Sequence, residues 1–238
     1  MHPSYVSGFV DGEGSFSVSI LKRAVYKTGW SLSPAFSISL HSRDIVLLKR
    51  IQSFFGVGKI TIRNKDGSVY FTVNSLEALI KVIIPHFEKY PLLTKKRADF
   101  LLFKLIVGIM YNKQHLNIEG LQKVISFKAA MNNGLTPILI KHFPNITPAE
   151  RPAIDLQENF EPYWVAGFVE TEGCFFINTI KSKLYKTGYQ IKWNFNLVQH
   201  SRDFLLMNSL VKYFNCGAVR GAHGTCNICH YKTIWHSR

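Results

Sequence analysis

Residues 3–16 read PSYVSGFVDGEGSF, and 159 positions later residues 162–175 read PYWVAGFVETEGCF. The register holds without a gap through YKTGW (26–30) and YKTGY (185–189), then HSRD (41–44) and HSRD (200–203), as far as Gly58 and Gly217. About 21 of the 56 aligned positions are identical. A shared tetrapeptide would be noise, but a gapless run of this length is a duplicated structural unit.

Each copy reads alike. Pro3 and Pro162 suit a first helical turn, where the missing N–H costs nothing. A short helix then runs through Val6–Val10 and Val165–Val169 and stops near Gly14 and Gly173. Residues 15–20 and 31–39 alternate, with Phe16, Val18, Ile20, Phe36, Ile38 and Leu40 on one face and serines on the other. That is the pattern of a half-buried antiparallel hairpin. Ser42 and Asp44 start a helix over Ile45–Phe55. Lys59–Arg63 and Val69–Val73 form a second hairpin around the turn 64–67, and helices are expected near 75–87, 95–112 and 119–132.

Pro137, Pro144, Pro148 and Pro152 break the periodicity over 134–160, which reads as a linker. The fold class is therefore α+β. Two pseudo-symmetric αββαββα-type domains, 1–133 and 161–238, flank the linker. Only 21 residues follow Gly217, against about 75 after Gly58 in the first copy. The second copy is expected to be incomplete at its C-terminus, without its last helices and with its fourth strand unaccounted for.

Composition narrows the function. The 238 residues carry 29 Lys+Arg against 15 Asp+Glu, a formal charge of +14, yet 47% are apolar. That is too apolar for a disordered basic tail. No run approaches the roughly 18–20 apolar residues of a membrane span, and no signal-peptide pattern opens the chain. A well-cored cationic protein points to nucleic acid, with a merely solvated basic face as the competing explanation. The four cysteines lie in the last third and suggest no disulfide framework. Cys226-Asn-Ile-Cys229-His230 matches a haem-attachment spacing, and with Cys216, His223 and His236 it imitates a zinc site. It lies where the repeat dissolves, and the tail is read as degenerate sequence.

The repeated helix ends in acidic pairs, Asp11/Glu13 and Glu170/Glu172, in a protein short of acids. A helix C-terminus disfavours carboxylates, so a cation must compensate, and a divalent metal with hard oxygen ligands suits the position. Small residues (Ser7, Gly8, Gly12; Ala166, Gly167, Thr171) would let the two helices pack closely. Glu13 and Glu172 would then arrive side by side.

VSGFVDGEG (6–14) and VAGFVETEG (165–173) resemble the two motifs of a single-chain LAGLIDADG homing endonuclease of the intron-encoded fungal mitochondrial group. HFEKYPLLTKKRADFLLFK (86–104) and CFFINTIKSK (174–183) resemble that family as well. The resemblance implies Mg²⁺ or another divalent cation such as Mn²⁺ at Glu13 and Glu172, with the carbonyls of Gly12 and Thr171 as co-ligands. It implies a double-stranded DNA target cut across the minor groove, a monomer built by internal pseudo-dimerisation, and no membrane partner. It also implies a polar group at Gln199, where the first copy has Leu40, and a basic residue at Lys95 or Lys96. The sheets would face DNA with Ser17, Ser19, Lys22, Ser37, Ser39, Lys59, Thr61, Arg63, Tyr70 and Thr72, and with Asn178, Lys181, Lys192, Asn194 and Asn196. On the same fold, an intron-RNA-binding maturase and an inactive homologue stay open as alternatives.

Overall fold

The computed structural model describes residues 1–63, 65–156, 158–222 and 225–233, with side chains described through residue 221. Helix α1 (Pro3–Glu13) has its proline at the N-terminus, and the His2 ring accepts the Ser4 N–H at 3.3 Å. Gly14 is already extended and opens strand β1 (Gly14–Lys22), so helix passes into strand without a loop.

Strand β2 (Trp30–His41) pairs antiparallel with β1, setting Phe16 opposite Phe36. After α2 (Ile45–Phe55) come β3 (Lys59–Arg63) and β4 (Ser68–Val73), giving the sheet order β1-β2-β4-β3. Then follow α3 (Leu76–Ala78), a π-helical stretch (Leu79–Ile83), α4 (Ile84–Lys89), α5 (Lys96–Tyr111) and α6 (Ile118–Ala129). Pro85 explains the irregular turn, since it lacks the N–H a regular helix would bond to the carbonyl four residues back.

The second copy repeats the order with α8 (Pro162–Glu172), β5 (Gly173–Lys181), β6 (Tyr189–His200), α9 (Phe204–Phe214), β7 (Ala218–Ala222) and β8 (Thr225–Thr233). Its sheet order, β5-β6-β8-β7, is that of the first. The fourth strand is therefore present, pairing antiparallel with β7 so that Ala222 lies opposite Thr225. Residues 225–233 of the tail read as degenerate form this strand. The side chains of Cys226, Cys229 and His230, and all of His223 and His236, lie outside the described residues.

The segment 134–160 between the two copies is itself partly folded. It contains α7 (Pro137–His142), whose Leu139 is buried in the first core, so the segment is packed rather than a free tether. No described helix is long and apolar enough to cross a membrane.

Among the described residues the two cores are unequal. In the first, Phe16 meets the rings of Phe36, Phe87, Phe100 and Phe103 at centroid distances of 5.2–5.5 Å. Burying each such ring stabilises by roughly 2–3 kcal/mol. Phe16 is 1% exposed, whereas its counterpart Phe175 is 74% exposed. Among the described residues no counterpart of α5 covers that face of the second sheet.

Candidate active site and nucleic-acid interface

Helices α1 and α8 pack backbone to backbone. A Cβ on Gly8 would overlap the carbonyl of Trp164, and one on Gly167 would overlap the carbonyl of Tyr5. The reciprocity extends to hydrogen bonds. Trp164 Nε1 donates to Asp11 Oδ2 at 2.8 Å, and the Tyr5 hydroxyl donates to Glu170 Oε2. Each aromatic residue thus holds the first motif acid of the other helix.

The last motif acids, Glu13 and Glu172, are brought together at the helix ends, where a Cβ on Gly12 would lie 3.3 Å from Glu172 Oε1. Burial raises the pKa of Glu13, and the nearby charge of Lys96 opposes the rise. Burial likewise raises that of Glu172; Lys96 opposes this and the charge of Glu13 adds to it. Gln199 Nε2 donates to Glu172 Oε1 at 3.4 Å. Lys96 is buried, which lowers its pKa, while Asp11, Glu172 and Glu13 counteract that effect. Its Nζ donates to the carbonyls of Val10 at 2.9 Å and Gly12 at 2.7 Å. The cation required at the end of α1 is therefore supplied in part by a lysine.

Glu13, Glu172, Gly12, Thr171, Gln199 and Lys96 lie together at the helix ends, but Lys95 does not join them. Its Nζ donates instead to the Ile154 carbonyl at 3.4 Å, and its N–H to Asp203 Oδ1 at 2.7 Å. One residue along the first turn of α5 turns the side chain by about 100°. Sequence reading also missed what Asp11 does. Its carboxylate accepts from Leu93 N, Thr94 N, Thr94 Oγ1 and Trp164 Nε1, and burial still raises its pKa to about 6. The repeat contained the signal, since Tyr5 and Trp164 occupy equivalent positions.

The donors present suit a hard divalent cation: two carboxylates lacking full charge compensation, with carbonyl oxygens beside them. Among the described residues no group of three or more His, Cys, Asp or Glu forms a cage. The site fits an ion that retains water and takes further oxygens from a substrate.

On the first sheet, the face opposite the core is built from lateral rows. Ser15, Ser37, Thr72 and Lys59 lie in register, as do Ser39, Tyr70 and Thr61. Arg63 stands 4.9 Å over the Tyr70 ring and 3.7 Å from Asp66. Ser17 and Ser19 share this face by strand alternation. On the second sheet Asn178 pairs with Lys192, and Arg220, unforeseen from sequence, falls in the row of Val198.

Four of the DNA-facing expectations change. Lys22 and Lys181 have the parity of Phe16 and Phe175, so they lie on the core side of their strands. Lys22 Nζ is 2.8 Å from His142 Nε2 of the linker helix. Asn194 is 4% exposed and donates to the Lys192 carbonyl at 3.2 Å, so its amide is not offered to solvent. Asn196 is partly buried, and its Oδ1 has no hydrogen-bond partner among the described residues.

A family model described as LAGLIDADG endonuclease matches residues 6–107 and 165–234, including the tail strand. Two Neurospora crassa proteins, probable intron-encoded endonucleases 2 and 3, are each 40% identical to this chain over 92% of its length. The matches cover 49% and 41% of those proteins, so the chain spans about half the length of these curated relatives. Among solved structures, the I-SmaMI LAGLIDADG homing endonuclease bound to cleaved DNA superposes with a TM-score of 0.94 at 38% identity, covering 97% of this chain and 78% of that one. The I-LtrWI LAGLIDADG homing endonuclease bound to target DNA gives a TM-score of 0.93 at 39% identity, with 97% and 78% covered. On its paired motif helices, its two matching sheets and these similarities, the chain belongs to the LAGLIDADG endonuclease family.

Proposed function

We propose that this chain is a site-specific endonuclease that cuts both strands of a DNA duplex, using Mg²⁺ or Mn²⁺ held by Glu13 and Glu172 with the carbonyls of Gly12 and Thr171. The observation that carries the reading is the pairing of two half-buried carboxylates, one from each motif helix, beside the buried ammonium of Lys96. A bound divalent ion supplies activation of water and charge neutralisation at the phosphate. Lys96 adds a fixed positive charge where negative charge develops in phosphodiester hydrolysis. Gln199 orients the Glu172 carboxylate through its amide. The polar rows, from Ser17, Ser19, Ser37, Ser39, Lys59, Thr61, Arg63, Tyr70 and Thr72 to Asn178 and Lys192, offer hydroxyl, amide and cationic groups to base edges and phosphates. We place the protein in the mitochondrion, as an intron-encoded monomer.

The test uses a plasmid carrying the intron-free junction of the gene that contains this reading frame. Wild type linearises it in Mg²⁺, while Glu13→Gln and Glu172→Gln bind the same duplex in Ca²⁺ without cutting in Mg²⁺. Equal cleavage by all three proteins overturns the metal-site assignment. Intron-RNA binding and splicing that survive both substitutions would favour the maturase.

A further inference from the structure

The linker does more than connect. Arg151 lies in its irregular second half and forms a two-pronged ion pair with buried Asp99 in the first turn of α5, Nη1 to Oδ1 and Nη2 to Oδ2, each at 2.9 Å. The same guanidinium donates to the Ala130 carbonyl at 2.7 Å and to the Lys95 carbonyl at 3.3 Å. Asp99 Oδ1 also accepts the Asn132 N–H at 2.8 Å, so Arg151 ties the end of α6 to the start of α5.

The start of α5 needs such a tie. Lys95, at its N-cap, makes no side-chain capping bond. It is fixed from outside, through Asp203 of the second unit on its N–H, Arg151 on its carbonyl and Ile154 on its Nζ. The next residue is Lys96, whose Nζ reaches Val10 and Gly12. A planar guanidinium gripping a carboxylate at two points sets orientation as well as distance, which a flexible ammonium would not.

We propose that Arg151 is a positioning residue for Lys96, so that the linker, by clasping Asp99 and the Lys95 carbonyl, sets the catalytic cation against the motif carboxylates. This rests on the endonuclease reading for its effect on cleavage, but its effect on Lys96 can be measured separately. In the full chain, Lys96 is acetylated with limiting acetic anhydride and followed by mass spectrometry, with exposed Lys123 as internal standard. Arg151→Ala should raise the relative acetylation of Lys96 about tenfold. It should lower the single-turnover cleavage rate of the junction duplex by about tenfold while DNA affinity in Ca²⁺ stays within about twofold. Arg151→Lys, which keeps the charge and loses the fork, should fall between wild type and alanine in both readouts, and it remains informative if the alanine variant does not fold.

Unchanged Lys96 acetylation in both variants overturns the proposal, as does a parallel fall of binding and cleavage. If acetylation shifts as expected but wild type cuts no duplex, the positioning role stands and the endonuclease reading fails.

Discussion

The ammonium of Lys96 lies 2.7 Å from the carbonyl oxygen of Gly12, making it both the charge cap of the first motif helix and the neighbour of the two motif carboxylates. Removing it leaves those carboxylates and carbonyls without their fixed counter-charge. Lys96→Ala is expected to slow single-turnover cleavage by about 10²–10³-fold. DNA affinity should stay within a few-fold. Lys95→Ala, whose ammonium donates to the Ile154 carbonyl and acts on Asp203 rather than on the motif carboxylates, should change the rate by less than about threefold. Rapid-quench kinetics on one duplex separates the two lysines.

The close approach of α1 and α8 makes Gly8 intolerant of any side chain. Gly8→Ala would overlap the Trp164 carbonyl, where backbone cannot yield cheaply, and should cost about 3 kcal/mol or more in a urea melt. A Cβ on Gly108, in the middle of α5, would meet no described atom within 4 Å outside the backbone of its own helix. Gly108→Ala should stabilise by about 0.5–1 kcal/mol. Opposite signs for the same chemical change would locate the constraint at the helix pair.

Much of this architecture is legible in the sequence because the repeat reports it twice. Strand alternation at Phe16, Val18 and Ile20, the helix over Ile45–Phe55 and the meeting of Glu13 with Glu172 all follow from local pattern plus pseudo-symmetry. The irregular turn before Pro85 and the packed linker do not, because both depend on tertiary contacts rather than on periodicity. The choice between Lys95 and Lys96 turns on helix phase at a terminus, which sequence periodicity defines poorly. Lys22 and Lys181 share strand parity with Phe16 and Phe175, so alternation along the strand puts them on the face opposite the serines.

Arg63 presents its guanidinium over Tyr70 on the polar face of the first sheet. If it contacts a DNA phosphate, Arg63→Ala should weaken binding similarly on target and unrelated duplexes. It should also reduce the slope of log affinity against log salt by about one. Fluorescence anisotropy across a salt series checks this, and a loss confined to the target duplex would assign Arg63 to base recognition instead.

His86 is packed against Phe54, Phe55, Phe87 and Tyr90, and burial lowers its pKa from 6.5 to about 4. The folded state thus binds its proton less readily than the unfolded chain. The associated stability is fully present above pH 6.5 and is lost as pH falls toward 4, by up to about 3 kcal/mol. Asp11, whose folded pKa is raised to about 6, contributes in the opposite sense as pH falls from about 6 toward 3.8. The readout is therefore the difference between wild type and His86→Phe, which should narrow steadily over this window in denaturant melts. A constant difference would mean that His86 does not titrate there.

Among the described residues, the smaller apolar cluster draws on both halves of the molecule. Phe16, Phe36, Phe87 and Phe100 close a complete core within the first unit, whereas Trp164, Val165 and Phe168 of α8 belong to a smaller cluster against which Leu93 of the first unit packs. The second motif helix therefore finds part of its apolar partner surface, and the carboxylate for its indole, on the first unit. The Trp164 ring stacks on Phe160 and Phe168 of its own cluster and ends on a carboxylate of the other unit. A single indole thus keys the two repeats together.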